Sequence, residues 1–289
     1  MTIPIIDLKD YFIDKANFLR ELGGAFTDVG FVVVKNHGIG IKTIQDLYTG
    51  VRTLFALPLE KKKEYEVASM AGQRGYTRQG RERAKGTAVA DLKEFFQFGR
   101  NDNIVPSEVA DLNAVLDTAY FEFKATGMVL LEAIAEYMCL PRDHFCDMVS
   151  NGDSILRCIH YPPIVEDGGA SDAVRATAHE DINLITLLVG ASAEGLQVQT
   201  REGEWLAVNP EEGTIVVNIG DMMQSLTDGR LKSTTHRVIN PASRELRSTS
   251  RYSVPFFVHP RGEVCVAEGG VTAREFLDNR LREIGLKMN

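Results

Sequence analysis

The pattern of apolar and polar positions changes character once along the chain, near Asn151. Before that point it is mostly helical. From Ile41 to Leu57 the residues Ile41, Ile44, Tyr48, Val51 and Phe55 recur at steps of three and four, and Pro58 stops the run. This spacing predicts an amphipathic helix. A longer helix is expected over Ser107–Cys139, through Leu112, Val115, Ala119, Phe123, Val129, Ala133 and Tyr137, with Gly127 as a candidate break or bend. Phe31–Val34, set between Gly30 and the turn-prone Asn36-His37-Gly38, predicts a short buried strand. After Asn151 come short runs rich in Val, Ile, Leu and Phe: Ile155–Ile159, Leu184–Val189, Leu196–Gln199, Ile215–Ile219, His236–Ile239 and Tyr252–Val258. Their length and spacing predict a sandwich or barrel of antiparallel strands. Thr272 and Glu275 then form a T-x-x-E capping box that opens a helix through Phe276, Leu277, Leu281 and Ile284. The expected class is α+β, mainly β in its core. It divides into a mixed, mostly helical region (1–105), a long supporting helix (106–150), a β-core (151–260) and a C-terminal helix (261–289), joined in one compact unit.

Composition narrows the picture modestly. The chain has 289 residues, 44% hydrophobic and 25% charged, which fits a soluble globular protein. No apolar stretch approaches the roughly 18 residues of a membrane helix. The opening MTIPIIDLKDYF lacks a basic segment followed by a long apolar one, so a cytoplasmic protein without membrane association is expected. A net charge of −8 argues against nucleic acid as partner. The basic stretch RGYTRQGRERAK, from Arg74 to Lys85, reads as a solvated loop, with a pocket for an anionic substrate as a further reading. The four cysteines (Cys139, Cys146, Cys158 and Cys265) form no C-x-x-C pair and are expected to be buried free thiols.

The candidate chemistry begins at ATAHEDINLITLL, Ala176–Leu188. Residues i and i+2 of a strand share a face, so His179 and Asp181 can reach one point. Of the six histidines, His236 opens a later β-like run and could be carried beside them by a neighbouring strand. Two imidazoles and one carboxylate on one face of an ion leave coordination positions open, the arrangement of non-haem Fe(II) oxygenases. Arg251 and Ser253, in RYSVPFF, are again i and i+2. An arginine facing a barrel interior needs an anion, and its planar fork suits a carboxylate, with the serine hydroxyl adding a hydrogen bond.

In order and approximate spacing, H-x-D, the distant His and R-x-S resemble the Fe(II)/2-oxoglutarate-dependent oxygenases of the isopenicillin N synthase-like branch. IPIIDL, GFVVVKNHGI and LFALPLEKKKEY resemble its N-terminal region; RGYTRQGRERAKG and DLKEFFQFGR resemble bacterial members; LRCIHYPP and EGTIVVNIGDMMQSLTDGRLKSTTHRV resemble the core. The resemblance implies a double-stranded β-helix, or jelly-roll, and a dioxygenase that uses O2. It would oxidise a C–H bond of a small molecule while 2-oxoglutarate yields succinate and CO2, with ascorbate a candidate reductant. It also implies that His179, Asp181 and His236 bind Fe(II), and that Arg251 and Ser253 hold the distal carboxylate of 2-oxoglutarate. Tyr161 stands where many relatives place a further contact to this cosubstrate, or packs before Pro162-Pro163. Plant members often carry an asparagine where this chain has Ile159. Arg247-Ser248-Thr249 offers a second possible R-x-[ST] register, but only Arg251 leads directly into an apolar strand.

Other readings stay open at this stage. R-x-S also occurs in relatives that need no 2-oxoglutarate, such as isopenicillin N synthase and the amino-cyclopropane oxidase type. Two imidazoles and a carboxylate also suit a zinc hydrolase, though no H-E-x-x-H accompanies them. A non-catalytic binding protein could keep the same fold. For substrate contact the candidates are Arg74, Tyr76, Arg78, Phe95, Phe96, Asn183 and Phe256–Phe257. Asn218 and Asp221 are expected to bond turns and strand ends, His37 to be structural, and His160 to face away from Tyr161. Trp205 is expected to pack in a hairpin, and Glu180 to point away from the metal.

Overall fold

The β-branched and aromatic runs fold as strands that pair into two main sheets. In the computed structural model, which describes residues 2–84, 86, 89–164, 174–190 and 194–287, the strands are β1 (Ile5–Asp7), β2 (Phe31–Lys35), β3 (Gly75–Thr77), β4 (Glu94–Gly99), β5 (Ile155–Tyr161), β6 (Ala176–His179) and β7 (Ile185–Val189). They continue with β8 (Leu196–Gln199), β9 (Trp205–Ala207), β10 (Ile215–Ile219), β11 (His236–Val238), β12 (Arg251–Val258), β13 (Cys265–Ala267) and β14 (Val271–Thr272). The helices are α1 (Asp10–Ile13), α2 (Lys15–Asp28), α3 (Ile41–Ala56), α4 (Leu59–Lys63), α5 (Leu112–Tyr137), α6 (His144–Val149), α7 (Asp221–Leu226), α8 (Arg244–Arg247) and α9 (Ala273–Glu283).

The major sheet runs β1-β2-β10-β7-β12-β5-β4-β3, and the minor sheet β6-β11-β8-β9. All strand pairings in these sheets except β1–β2 are antiparallel. This is a jelly-roll with helices packed on the major sheet. Strands β1–β4 come from the first 105 residues, so the region expected to be mostly helical extends the sheet of the core at both edges. Alternation explains why. In β4, Phe96 and Phe98 face the helices while Phe95 and Gln97 face the opposite side, as a shared sheet requires.

The long helix starts at Leu112, because residues 107–111 form turns, and it runs unbroken through Gly127. A Cβ at Gly127 would lie 3.3 Å from Val258 Cγ2 and 3.7 Å from Leu187 Cδ1. The glycine therefore permits close approach of helix to sheet and does not break the helix. Tyr120 and Phe123 meet Phe256 across this contact, with ring centroids 5.2 and 5.7 Å apart. The capping box of α9 forms as expected: Glu275 N–H donates to Thr272 Oγ1 and Thr272 N–H to Glu275 Oε2. Two cysteines depart from expectation. Cys146 and Cys158 are buried, but Cys139 sits exposed in the turn after α5, and Cys265 is exposed at the start of an edge strand. Among the described residues, no helix is long and apolar enough to cross a membrane.

Candidate active site

The inward faces of both sheets line a cavity of about 330 Å³. Strand alternation selects its walls: Ile155, Arg157, Ile159 and Tyr161 from β5, Arg251, Ser253, Pro255 and Phe257 from β12, Thr186 and Leu188 from β7, and Val216 and Asn218 from β10. His179, Asp181 and His236 lie at this cavity, each offering one ligand atom within 4.8 Å of the others. The pairing of β11 with β6 sets His236 directly opposite His179, and their ring centroids are 4.5 Å apart. Sequence distance is thus removed by one antiparallel ladder.

Each of the three side chains is fixed from behind. His179 Nδ1 is 2.7 Å from the Thr177 carbonyl and His236 Nδ1 is 3.1 Å from the Thr234 carbonyl. A carbonyl only accepts, so Nδ1 carries a proton in both rings and each Nε2 is left to face the cavity. Asp181 Oδ2 accepts from Thr186 Oγ1 at 2.6 Å and from Asn218 Nδ2 at 2.8 Å. Its Oδ1 faces His236 Nε2 at 3.8 Å. Burial, then the neighbouring His236, lowers His179 to about 4, which keeps it a neutral donor at physiological pH. Burial works against the Asp181 carboxylate, but His236, His179 and the bonds from Asn218 and Thr186 outweigh it and hold its pKa below the ordinary range. Two imidazole nitrogens and one carboxylate oxygen, all pre-oriented by hydrogen bonds from behind, are the donor set that suits a divalent iron.

The turn that follows Asp181 is stapled to the start of α7. Asp221 N–H donates to Asp181 O at 2.7 Å and Gly220 N–H to Leu184 O at 2.9 Å. Gly220 is required here, since a Cβ would stand 2.2 Å from Asn183 O. Asn183 lines the cavity, yet its amide donates to Ile185 O at 2.6 Å and to Thr186 Oγ1 at 3.2 Å. Its side chain supports the threonine that holds Asp181. Asn218, read from the sequence as a turn or strand-end residue, bonds the Asp181 carboxylate itself. Glu180 turns away and accepts from Thr235 Oγ1.

On the adjoining wall Arg251 pairs with Tyr161 across β12 and β5, with Cζ 5.0 Å from the tyrosine ring centroid, and Ser253 pairs with Ile159. Arg251 is 1% exposed. Arg247, the alternative register, lies in α8 and donates to Pro241 O at 2.7 Å, outside the β12 ladder. A buried guanidinium and hydroxyl beside the His–Asp–His cluster suit the carboxylate of an organic acid.

The expected substrate contacts divide. Phe257 and Asn183 line the cavity. Arg74 instead packs against Gly99 and donates to Asn101 O and Gln73 O. Tyr76 donates to Glu94, Arg78 pairs with Glu66 at 3.0 Å, and Phe96 and Phe256 lie in the helix-facing core. Lys85, at the end of the basic stretch, lies outside the described residues. Phe95 faces inward but is covered by Arg157, whose Cζ is 4.3 Å from its ring. The polar wall is built by residues the sequence did not single out: Glu82, Asp91, Lys93, Gln97 and Arg157. The alternation of Lys93, Phe95 and Gln97 was the available signal. Of the remaining histidines, His37 accepts from Ile39 N–H, and His160 bonds Glu94 on the face away from Tyr161. His259 lines the cavity, and burial lowers it to about 4. Trp205 stacks under Arg237 at 3.8 Å.

The family described as non-haem dioxygenase in morphine synthesis N-terminal matches residues 3–115, and the 2OG-Fe(II) oxygenase superfamily matches residues 152–260. The proline hydroxylase buaE of Petromyces alliaceus is 33% identical over 303 residues, covering 98% of this chain and 95% of the relative. The crystal structure of a 2OG-Fe(II) oxygenase family protein from Caulobacter crescentus is 39% identical, with a TM-score of 0.85 over 97% of this chain and 98% of that one. A full-length Neurospora crassa protein, solved in complex with alpha-KG and thymine, is 29% identical, with a TM-score of 0.88 over 97% and 96% of the two chains.

Proposed function

Because this chain belongs to the 2OG-Fe(II) oxygenase superfamily and is a 2-oxoglutarate-dependent dioxygenase that uses Fe(II) and O2, we propose that His179, Asp181 and His236 hold the iron and that Arg251, Ser253 and Tyr161 hold 2-oxoglutarate. One observation carries the assignment: the three donor atoms converge within 4.8 Å while the outer atoms of all three side chains are already bonded to the protein. When bound, Fe(II) would activate dioxygen, the oxidant, and 2-oxoglutarate would supply two electrons as it is converted to succinate and CO2.

The protein's own residues set the conditions for that chemistry. Thr177 and Thr234 carbonyls keep both imidazoles in the tautomer that points Nε2 inward. Thr186 and Asn218 anchor one oxygen of Asp181 and leave the other to face the metal position. Arg251 supplies a buried positive charge for the distal carboxylate, with the Ser253 hydroxyl two residues along the same face. The primary substrate is a small molecule bound in the cavity of about 330 Å³ that opens beside the metal position. The thymine held by the Neurospora protein is a molecule of suitable size. Segments 1–105, 106–150, 151–260 and 261–289 act as one unit, since the first contributes strands to the sheet of the third and α9 contributes Leu277 and Leu281 to the cavity. The acidic balance and the enclosed site support a cytoplasmic enzyme of small metabolites, with no nucleic acid or membrane partner.

The test is direct. Purified protein reconstituted with Fe(II), ascorbate and 2-oxoglutarate should release succinate only with oxygen present. Iron-loaded protein that fails to bind 2-oxoglutarate in equilibrium dialysis would sink the assignment of Arg251 and Ser253.

A further inference from the structure

At three places in this fold a buried cation is matched with an acid. Lys62 Nζ lies 2.8 Å from Glu94 Oε1, Lys93 Nζ lies 2.7 Å from Glu82 Oε1, and Arg157 Nη1 lies 3.1 Å from Glu82 Oε2. Arg175 departs from that pattern. It is 1% exposed and stands directly before β6. Its backbone N–H donates to Asn240 Oδ1 at 3.0 Å, and its Nη2 donates to the Thr249 carbonyl at 3.1 Å. Its Nε and Nη1 are buried and have no hydrogen-bond partner among the described residues, and no carboxylate among those residues is paired with it. Thr249 lies two residues before Arg251, the first residue of β12. Arg251 is equally buried, with Cζ 5.0 Å from the Tyr161 ring, and Tyr161 packs in one cluster with Ala176, the residue after Arg175. Burial first, and the positive charge of Arg251 second, hold the Arg175 guanidinium below the ordinary arginine range. An arginine stays protonated even so. Two like charges therefore share one buried corner of the barrel.

A charge left buried without a counter-charge is strongly unfavourable, and a like charge beside it adds to the penalty. An anion placed at that corner relieves both. Arg251 lines the cavity and Arg175 does not, so Arg175 stands behind the lining and acts through its charge. It is a positioning residue, one that strengthens the pull of the corner on an anion without needing to touch it. We propose that Arg175 is a second cationic group of the Arg251 carboxylate site, and that it selects a cosubstrate with a distal carboxylate over a 2-oxo acid that lacks one. The proposal rests on the reading of Arg251 and Ser253 as the clamp for 2-oxoglutarate. It adds to that reading a residue outside the R-x-S motif, on the strand that leads to the first metal ligand.

The test compares 2-oxoglutarate with 2-oxovalerate, a 2-oxo acid of the same carbon count that ends in a methyl group. The affinity of each for the iron-loaded protein is measured by anaerobic equilibrium dialysis in the wild type, Arg175→Gln, Arg175→Met and Arg175→Lys. Glutamine keeps a donor for the Thr249 carbonyl but carries no charge. Arg175→Gln should lower the preference for 2-oxoglutarate over 2-oxovalerate at least about tenfold, through weaker binding of 2-oxoglutarate. Arg175→Lys keeps the charge and should hold the preference within about threefold of the wild type. An arginine that only braced the fold would weaken both acids together. Equal loss for the two acids, an unchanged preference in Arg175→Gln, or no rescue by Arg175→Lys overturns the proposal. A circular dichroism melt reports whether the variants fold. Arg175→Met decides if Arg175→Gln does not fold, and failure of both to fold overturns the proposal, because the residue would then be a structural brace. Failure of the underlying reading looks different: Arg251→Met would also leave the preference unchanged. Failure of this proposal alone leaves Arg251→Met effective and Arg175→Gln silent.

Discussion

The fold contains two buried clusters that join histidine to carboxylate, and they are built to opposite ends. In one, Glu94 accepts from Lys62 Nζ at 2.8 Å, from Tyr76 and from His160 Nδ1 at 2.7 Å, while His160 Nε2 meets Ser250 Oγ at 2.9 Å. Both ring nitrogens are used, Tyr252 stacks on the imidazole at 4.9 Å, and the carboxylate is saturated. In the other, the hydrogen bonds found among the described residues hold His179, His236 and Asp181 by their outer atoms. The same residue types therefore make a closed brace between β3, β4, β5 and α4 in one place and an open donor set in the other. What marks a metal position is not the presence of histidine and acid but donor atoms held ready without a partner.

This contrast can be broken experimentally, beginning with the largest effect. Asp181→Ala removes the only anionic donor, so elemental analysis of the purified variant should find iron reduced to a small fraction of the wild-type content and succinate release abolished. Full retention of iron would contradict the open cluster. Glu94→Ala should do the reverse. It strands the buried Lys62 ammonium and should cost about 3–5 kcal/mol in urea unfolding, with iron per folded molecule unchanged. Loss of iron in that variant would merge the two clusters into one.

Arg251→Met removes charge-assisted hydrogen bonds of about 1.5–3 kcal/mol, which corresponds to a KM for 2-oxoglutarate raised roughly tenfold to a hundredfold. Steady-state kinetics at saturating iron would detect it. Asn218→Ala and Thr186→Val each leave the three donors in place but loosen Asp181. Iron affinity should weaken by roughly 10–100-fold in a competitive chelator titration. An effect of that size at residues that never touch the metal would show that orientation, and not ligand identity alone, makes the open cluster work.

The smallest effect is on acid stability. Burial disfavours the Glu94 carboxylate, but His160, Lys62 and Tyr76 outweigh it and hold its pKa below the ordinary 4.5. The unfolded chain therefore binds this proton more readily than the folded one. The stabilisation from Glu94 is fully present above about 4.5 and drains away as pH falls through the lower folded value. Chemical denaturation across that range should show a shallower pH slope in Glu94→Gln than in the wild type.

Much of the site was readable because strand chemistry is local. Two-residue spacing puts His179 with Asp181 and Arg251 with Ser253, and apolar runs announced β5, β7, β8, β10, β11 and β12, though not β6 or β9. Boundaries shifted by a few residues where turns intervened, as at residues 107–111 before α5. Gly127 misled because a glycine that ends a helix and one that lets a helix touch a sheet look alike until Leu187 and Val258 are seen beside it. Asn218 gave no sign of its bond to Asp181 because the two residues meet only where β10 lies beside β7.

The amino-acid sequence by itself paired His179 with Asp181 and Arg251 with Ser253 as candidate metal and carboxylate contacts, since each pair lies two residues apart, whereas the ladder of β11 on β6 was needed to set His236 beside the first pair. Tertiary structure decided which polar residues line the cavity. Arg74 and Tyr76 looked suitable and were drawn off by Asn101 and Glu94. Glu82, Lys93, Gln97 and Arg157 were converged by the ladder of β4 on β5 and by the segment that precedes it. A buried charge settles where its partners are, and those partners lie far apart in the chain, so this wall exists only in the folded protein.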